Sequence, residues 1–263
     1  MQSVAVMERS APADAVDELP SGGAEQELRQ AHELQLSLLP GRIPAPHGWR
    51  IETLYRPARA VGGDFFDFVE LPGERLGVLI GDVTGKGMPA ALIMATARTI
   101  LRREAETGAA PAEVLRRANT QLVRDIPPGH FVTCLYAVID LATGETCFAN
   151  AGHNPPFERR ADGVHKLDAV GVPLGMMADM TYGEARATLG KGGCVLLYSD
   201  GITEAHNEQR QMFGFPRLQR LLDQYSRTAC PSVLDALMAE LEAFTGGRRE
   251  QEDDITLLAL HHL

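Results

Sequence analysis

The pattern of apolar and polar residues changes along the first 40 residues. Residues 1–23 are rich in Ala, Ser, Pro, Gly and acidic side chains and show no apolar period, which predicts a disordered tail. Residues 24–40 combine strong helix formers with a partial apolar stripe and end at a proline, which predicts an N-terminal linker helix. Because a helix of about four turns is marginally stable alone, it must pack against the body of the protein or against the same helix of a second copy, as a homodimer.

From residue 41 onwards, short apolar runs between turn residues predict strands, and longer runs with helical spacing predict helices. Strands are predicted at residues 49–55, 65–71, 75–82, 131–140, 145–151, 182–188, 194–198 and 255–260, with short ones around Phe157 and Val164. Helices are predicted after Pro89, from Pro111, and at residues 215–225 and 231–244. Strands in runs and helices in pairs favour an α+β fold of antiparallel sheets covered by helices. Residues 41–263 are expected to form one domain.

Composition and charge exclude several classes of protein. The net charge of −10 disfavours nucleic acid as a partner, since phosphate binding needs a basic surface. We expect neither a membrane span, because no apolar run approaches roughly 18 residues, nor a secretory signal. The four cysteines are scattered and form no C-x-x-C pair, which suits a reducing cytoplasm. A cytoplasmic location is therefore expected.

Acidic residues recur where predicted strands meet turns. Asp64 follows two glycines, Asp82 ends an apolar run, and Asp200 ends another run before a glycine. Asp253 and Asp254 directly precede the last strand. Each acid alone is most simply a turn or cap residue, but a carboxylate at the end of a buried strand is costly unless it is solvated, paired or metal-bound. Four such ends together predict a site for a hard divalent cation such as Mg²⁺ or Mn²⁺.

Five motifs occur in a fixed order, and four of them contain these acids. They are VGGDFFD at 61–67, GDVTGKGMPAA at 81–91, NAGHNPP at 150–156, YSDGITE at 198–204 and EDDIT at 252–256. Through these motifs the chain, over residues 25–263, resembles the PPM-type metal-dependent serine/threonine protein phosphatases of the SpoIIE/RsbU branch. The resemblance implies a four-layer α/β/β/α sandwich, with two antiparallel sheets flanked by helices.

The resemblance also implies which groups bind the metal ions. Asp82 is similar to the carboxylate that bridges two ions, and the backbone carbonyl of Val83 is similar to the group that completes one of them. Asp200 and Asp253 are similar to ligands of the other ion. Asp254 is the alternative to Asp253 if the register is shifted by one residue. The implied cofactors are two divalent cations, Mn²⁺ or Mg²⁺.

Asp64 is similar to the acid that anchors water of the metal centre on the opposite side. Together with Asp82, Asp200 and Asp253 it is expected to carry catalysis. The implied substrate is phosphoserine or phosphothreonine in a protein, which in this branch is often a STAS-type anti-anti-sigma factor of bacterial partner switching. The alternative is a catalytically silent phosphatase-like module that binds or regulates. Loss of a metal acid would indicate that alternative, and none of the four is lost.

Three basic residues each have two interpretations. Lys86 stands where many relatives have His, and it either attracts the phosphate or is a solvated turn residue. His153 either serves as the general acid or, more commonly for a loop histidine before two prolines, has a structural role. Arg59 either holds the phosphate dianion or is an ordinary surface arginine.

Overall fold

The structure, a computed structural model, describes residues 7–8, 23–225, 232–247 and 251–263. The predicted tail lies outside the described residues, apart from the two residues of strand β1 and the first residue of helix α1. The helices of the described part are α1 (Gly23–Leu38), α2 (Met88–Glu106), α3 (Pro111–Asp125), α4 (Asp200–Thr203), α5 (Gly214–Tyr225) and α6 (Val233–Thr245). None of the described helices is long and apolar enough to cross a membrane.

The described strands form two sheets. The strands are β1 (Met7–Glu8), β2 (Trp49–Arg56), β3 (Phe65–Leu71), β4 (Arg75–Val83), β5 (Val132–Asp140), β6 (Glu145–Ala151), β7 (Phe157–Arg160), β8 (Gly163–Lys166), β9 (Glu184–Thr188), β10 (Cys194–Tyr198) and β11 (Ile255–His262). The first sheet has the order β1-β2-β11-β10-β7-β8 and the second the order β3-β4-β5-β6-β9. All neighbours are antiparallel except β1, which pairs with β2 in parallel.

The apolar run of β11 is continuous because both faces of this central strand are buried. Successive side chains point to opposite faces, so Leu258 and Leu260 join the core between the two sheets, whereas Leu257 and Ala259 pack under α5 and α6. Helices α2 and α3 cover the outer face of the second sheet. The predicted arrangement of two antiparallel sheets flanked by helices is confirmed, and among the described strands only β1 departs from it by pairing in parallel.

Helix α1 packs against the body of the protein through a polar contact. Gln35 is 4% exposed, its Nε2 donates to the Gly62 carbonyl at 2.7 Å, and its Oε1 accepts from the Gly62 N–H at 2.9 Å. Nδ1 of His32 lies 2.6 Å from the Ala60 carbonyl oxygen. Helix α1 thereby holds the loop that leads into β3, while Leu34 on another face of the helix is 63% exposed.

Helix α2 is fixed to β3 by a buried ion cluster around Asp67. The Asp67 carboxylate is fully buried, forms an ion pair with Arg98 Nη2 at 2.7 Å and accepts a hydrogen bond from Arg102 Nη1 at 2.8 Å. The backbone N–H of Phe68 donates to the same carboxylate at 2.8 Å. The two arginines are four positions apart and therefore share one face of the helix. Asp67 belongs to the first motif, and its role is to hold α2, which begins directly after the loop at residues 84–87.

Candidate metal centre

Four of the five strand-end acids come from ends of β3, β4 and β11, and the fifth begins α4. Pairing of Phe65 with Gly81 puts Asp64, just before β3, beside Asp82 near the end of β4. Pairing of Tyr198 with Leu257 puts the end of β10 beside the start of β11. Asp200 therefore begins α4 next to the segment that precedes β11, and this short helix was not predicted from the sequence.

A hydrogen bond between side chains joins these two pairs of ends across the sheets, and two others join the end of β10 to the start of β11. Thr256 Oγ1 on β11 donates to Oδ2 of Asp64 at 2.6 Å. Ser199 Oγ donates to the Asp254 carbonyl at 3.2 Å and accepts from the Thr256 N–H at 2.9 Å. Sequence reasoning assigned no role to Thr256 or Ser199. The only feature of the sequence that could have indicated them is their position inside two of the five motifs.

The acids raise the pKa values of one another, which indicates that they converge on one site. Burial, followed by the charges of Asp200, Asp253 and Asp254, raises the pKa of Asp82 to about 8. Burial, followed by Asp253 and Glu204, raises the pKa of Asp200 to about 6.

The pKa of Asp64, the most buried acid of the site, is raised in the same way. Asp64 is 1% exposed, and burial, followed by the charges of Asp82 and Asp254, raises its pKa well above the usual value. Repulsion of this kind among carboxylates is relieved when a cation binds between them.

The donor set suits a hard divalent cation. In the described part of the chain, no group of three or more His, Cys, Asp or Glu side chains is placed so that it could hold a metal ion. Mg²⁺, however, usually retains several waters and needs only one or two protein carboxylates. Gly63 allows the chain to pass close to two oxygens, because a Cβ there would lie 2.8 Å from the Val83 carbonyl oxygen and 3.4 Å from Asp82 Oδ1. An all-oxygen set of carboxylates and a backbone carbonyl fits Mg²⁺ or Mn²⁺.

Asp253 and Asp254 differ sharply in their surroundings. The Asp254 carboxylate is buried and accepts from the backbone N–H groups of Ala58 at 2.8 Å, Gly63 at 2.7 Å and Asp64 at 3.4 Å. These bonds use both of its oxygens to order the loop before β3. The Asp253 side chain is 33% exposed. The geometry therefore favours Asp253 over its neighbour as a metal ligand.

The glycines around Asp254 explain why its loop packs so tightly. A Cβ on Gly62 would lie 2.1 Å from Oδ2 of Asp254, and one on Gly201 would lie 2.1 Å from its carbonyl oxygen. Neither position can accept a side chain without displacing Asp254. The conspicuous glycines beside the acids are thus required for close packing of the loops.

The three basic residues occupy different environments. His153 is 7% exposed, its Nδ1 lies 2.9 Å from Thr133 Oγ1, and burial lowers its pKa to about 4. A buried neutral ring of this kind favours the structural role. Arg59 is exposed beside the loop at 84–87, where a Cβ on Gly87 would lie 3.7 Å from Arg59 Nη1. Lys86 forms an ion pair within the acid cluster, since its Nζ lies 2.7 Å from Asp253 Oδ2.

Comparisons with known proteins agree with this architecture. RsbU of Bacillus subtilis, named a phosphoserine phosphatase, is 30% identical over 90% of this chain and 72% of its own length. Protein IcfG of Synechocystis sp. is 30% identical over 93% of this chain and 43% of its own length. The chain thus spans less than half of one of these relatives and almost three quarters of the other.

Solved structures share the fold. The SiaA-PP2C domain of Pseudomonas aeruginosa superposes with a TM-score of 0.78 at 25% identity, over 90% of this chain and 96% of that one. RsbX, solved in complex with magnesium, superposes with a TM-score of 0.63 over 83% of this chain and 98% of that one. At 14% identity RsbX shows the fold alone.

The model of the family described as Stage II sporulation protein E (SpoIIE) matches residues 72–263. The match includes Asp82, Asp200 and Asp253, whereas Asp64 lies before it. It covers well over half of the chain and agrees with the relatives found by sequence. This chain belongs to the SpoIIE family.

Proposed function

We propose that this chain is a metal-dependent phosphatase that hydrolyses phosphoserine or phosphothreonine in a protein. The observation that carries the proposal is the cluster of acids at the ends of the two sheets, where burial and then the charges of neighbouring acids raise the pKa values of Asp64, Asp82 and Asp200. Such a cluster costs free energy unless it serves to bind cations. The similarity to RsbU, a phosphoserine phosphatase, supports phosphoserine as the substrate group.

In this proposal Asp82, the Val83 carbonyl, Asp200 and Asp253 hold two divalent cations, Mn²⁺ or Mg²⁺, and Asp64 anchors water of the centre. Bound cations would lower the pKa of water at the site and neutralise charge on the phosphoryl group. The magnesium of RsbX, which has the same fold, supports this class of cation. Asp254 orders the loop before β3 and is left outside the ligand set.

Other side chains around the proposed metal centre have roles of their own in this proposal. Thr256 orients Asp64 through its hydroxyl. Arg59, at the rim beside Gly87, is suited to bind the phosphate dianion, because a guanidinium matches phosphate oxygens in a fork geometry. Burial raises the pKa of Cys194 to about 12, and burial with Glu184 raises that of Cys147 to about 11. Neither thiol is therefore a nucleophile at neutral pH, and direct attack by water is favoured over a phosphocysteine route.

The proposed protein substrate is a STAS-type anti-anti-sigma factor in a cytoplasmic partner-switching pathway. The kinship with RsbU supports this substrate class, and the net charge of −10 is unsuited to nucleic acid. Residues 24–40 would then serve as a linker helix and 41–263 as the phosphatase domain. The exposed Leu34 on α1 leaves an apolar position through which two copies could associate. Light scattering of the chain with and without residues 24–39 tests that homodimer.

Phosphate release is the decisive measurement. The purified chain should hydrolyse a generic aryl phosphate and a phosphorylated STAS protein only when Mn²⁺ or Mg²⁺ is present. We expect D82N and D200N each to lower turnover about a thousandfold or more, as loss of a central charge-stabilising group does. D140N is the matched control, since Asp140 ends β5 and accepts hydrogen bonds within the turn at 140–143.

Two results would overturn the proposal. One is a well-folded chain that releases no phosphate from either substrate with either cation, which would instead support a silent binding module. The other is unchanged turnover in both D82N and D200N, which would reject the ligand assignment.

A further inference from the structure

Lys86 forms a contact that neither of its two sequence interpretations predicts. Its Nζ lies 2.7 Å from Oδ2 of Asp253 and also donates to the Glu252 carbonyl. The ammonium group therefore forms an ion pair with one of the proposed metal ligands. Although the Lys86 side chain is 40% exposed, it points from the loop between β4 and α2 to the segment before β11.

The backbone around Lys86 is shaped to make this contact. Gly85 and Gly87 flank it with φ of 94° and 71°, values in the left-handed region where side chains are strained and glycine is not. The two glycines allow a tight loop directly after Asp82 and Val83. As a result, the lysine lies in the loop that directly follows two proposed ligands and contacts a third.

The ammonium group places a positive charge against the acid cluster, 2.7 Å from Oδ2 of Asp253. It therefore performs, with one positive charge, part of the neutralisation that a divalent cation would perform with two. An ammonium group and a divalent ion at the same oxygen of Asp253 compete, because their charges repel at contact distance.

We propose that Lys86 is an internal cation that occupies Asp253 in the metal-free protein and is displaced from it when a divalent cation binds. This inference rests on the proposed metal centre and adds a competition built into the chain. Lys86 stabilises the metal-free state, weakens binding of the cation held by Asp253, and becomes free at the rim beside Arg59 once that cation is bound. It acts as a positioning residue, through Asp253.

Mn²⁺ binding to the full chain tests the competition directly. Isothermal titration should show that K86Q binds Mn²⁺ about threefold to fivefold more tightly than the unmodified protein, the size expected for loss of a half-exposed ion pair. K86R should keep the weaker affinity because it keeps the charge. K166Q is the matched control, since Lys166 pairs with Asp168 on β8 and its removal should leave the affinity unchanged. Equal or weaker binding by K86Q overturns the inference.

Chemical acetylation gives a second readout that needs no substitution. With acetic acid N-hydroxysuccinimide ester as the probe and mass spectrometry as the detector, Lys86 should react faster after Mn²⁺ is added, because its ammonium group has left Asp253. The rate at Lys166 should not change. A rate at Lys86 that is unchanged or lower with Mn²⁺ overturns the displacement.

The two proposals fail in different ways. If neither the unmodified protein nor K86Q binds Mn²⁺, the metal centre itself is wrong, and the competition falls with it. If both bind Mn²⁺ with the same affinity, the metal centre stands and only the role of Lys86 is rejected.

Discussion

Asp64 and Asp67 lie three residues apart in one motif, yet their surroundings are opposite. Both are buried, at 1% and 0% exposure. Asp67 is neutralised by Arg98 and Arg102, whereas Asp64 is surrounded by the charges of Asp82 and Asp254. The charge of Asp67 is balanced by its own neighbours, and this site stabilises the fold. The site of Asp64 has an excess of negative charge that the described side chains around it do not balance. The comparison teaches that balance of charge, more than burial, separates a structural acid from a functional one.

Removal of the Asp67 carboxylate should have the largest effect on stability. D67A leaves Arg98, which is 13% exposed, without its partner, and breaking such a buried pair costs about 3–5 kcal/mol. Urea unfolding should show this loss equally in EDTA and in Mn²⁺. E113Q, at the exposed pair with Arg116 on α3, should leave the free energy of unfolding unchanged. A loss confined to the Mn²⁺-loaded protein would assign Asp67 to the metal centre.

The same kind of change in the unbalanced cluster should have the opposite sign. D82N removes a charge that Asp200, Asp253 and Asp254 repel. In EDTA we therefore expect the free energy of unfolding to rise by about 1–3 kcal/mol. The stabilisation that Mn²⁺ gives the unmodified protein should disappear in D82N. If D82N is instead destabilised in EDTA as D67A is, the two sites are not different in kind.

The contrast between the two sites follows only partly from the sequence. The acids of the cluster were found because they recur at strand ends inside ordered motifs. The ion cluster of Asp67 was not found, because Arg98 and Arg102 lie more than thirty positions along the chain and only the packing of α2 on β3 joins them. A helical face with two arginines is readable from the sequence, but the acid that it meets is not.

The sequence ranked Asp253 before Asp254 only through the register of the family resemblance, and the physical reason for their different roles was not readable from it. That difference depends on where the backbone N–H groups of Ala58 and Gly63 point, and that direction is set by the loop that Gln35 of α1 holds at Gly62. The contact of Lys86 with Asp253 depends in the same way on the conformation of a glycine-containing loop. Strand and helix positions follow from local pattern, whereas these assignments arise from contacts between distant loops.

The acid cluster should also make the free energy of unfolding depend on pH, with a smaller effect than the substitutions above. In the metal-free protein the pKa of Asp200 is raised to about 6 and that of Asp82 to about 8, both from 3.8. A carboxyl group with a raised pKa binds its proton more tightly in the folded state. Its contribution is therefore fully present below the unfolded pKa and is lost as pH rises through 6 and then 8.

Thermal unfolding in EDTA should accordingly show stability falling over that window by about 2 kcal/mol. D82N should flatten the upper part of the decline. Saturating Mn²⁺ should reverse the slope, because protons and the cation compete for the same carboxylates. Stability that rises between pH 6 and 8 in EDTA would contradict the raised pKa values.

The smallest expected effect concerns the Thr256 hydroxyl, which supports Asp64. Thr256 Oγ1 donates to Oδ2 of Asp64 at 2.6 Å inside the core, where Thr256 is fully buried. T256V keeps the shape of the side chain and removes the donor, so it should cost about 1–2 kcal/mol in urea unfolding. T256S keeps the hydroxyl and should regain most of the hydrogen-bond contribution. Asp67 does not contact Thr256, so its ion pairs with the two arginines should remain unchanged in T256V. If T256V is as stable as the unmodified protein, Asp64 does not depend on this bond, and its orientation must come from the cation that the site binds.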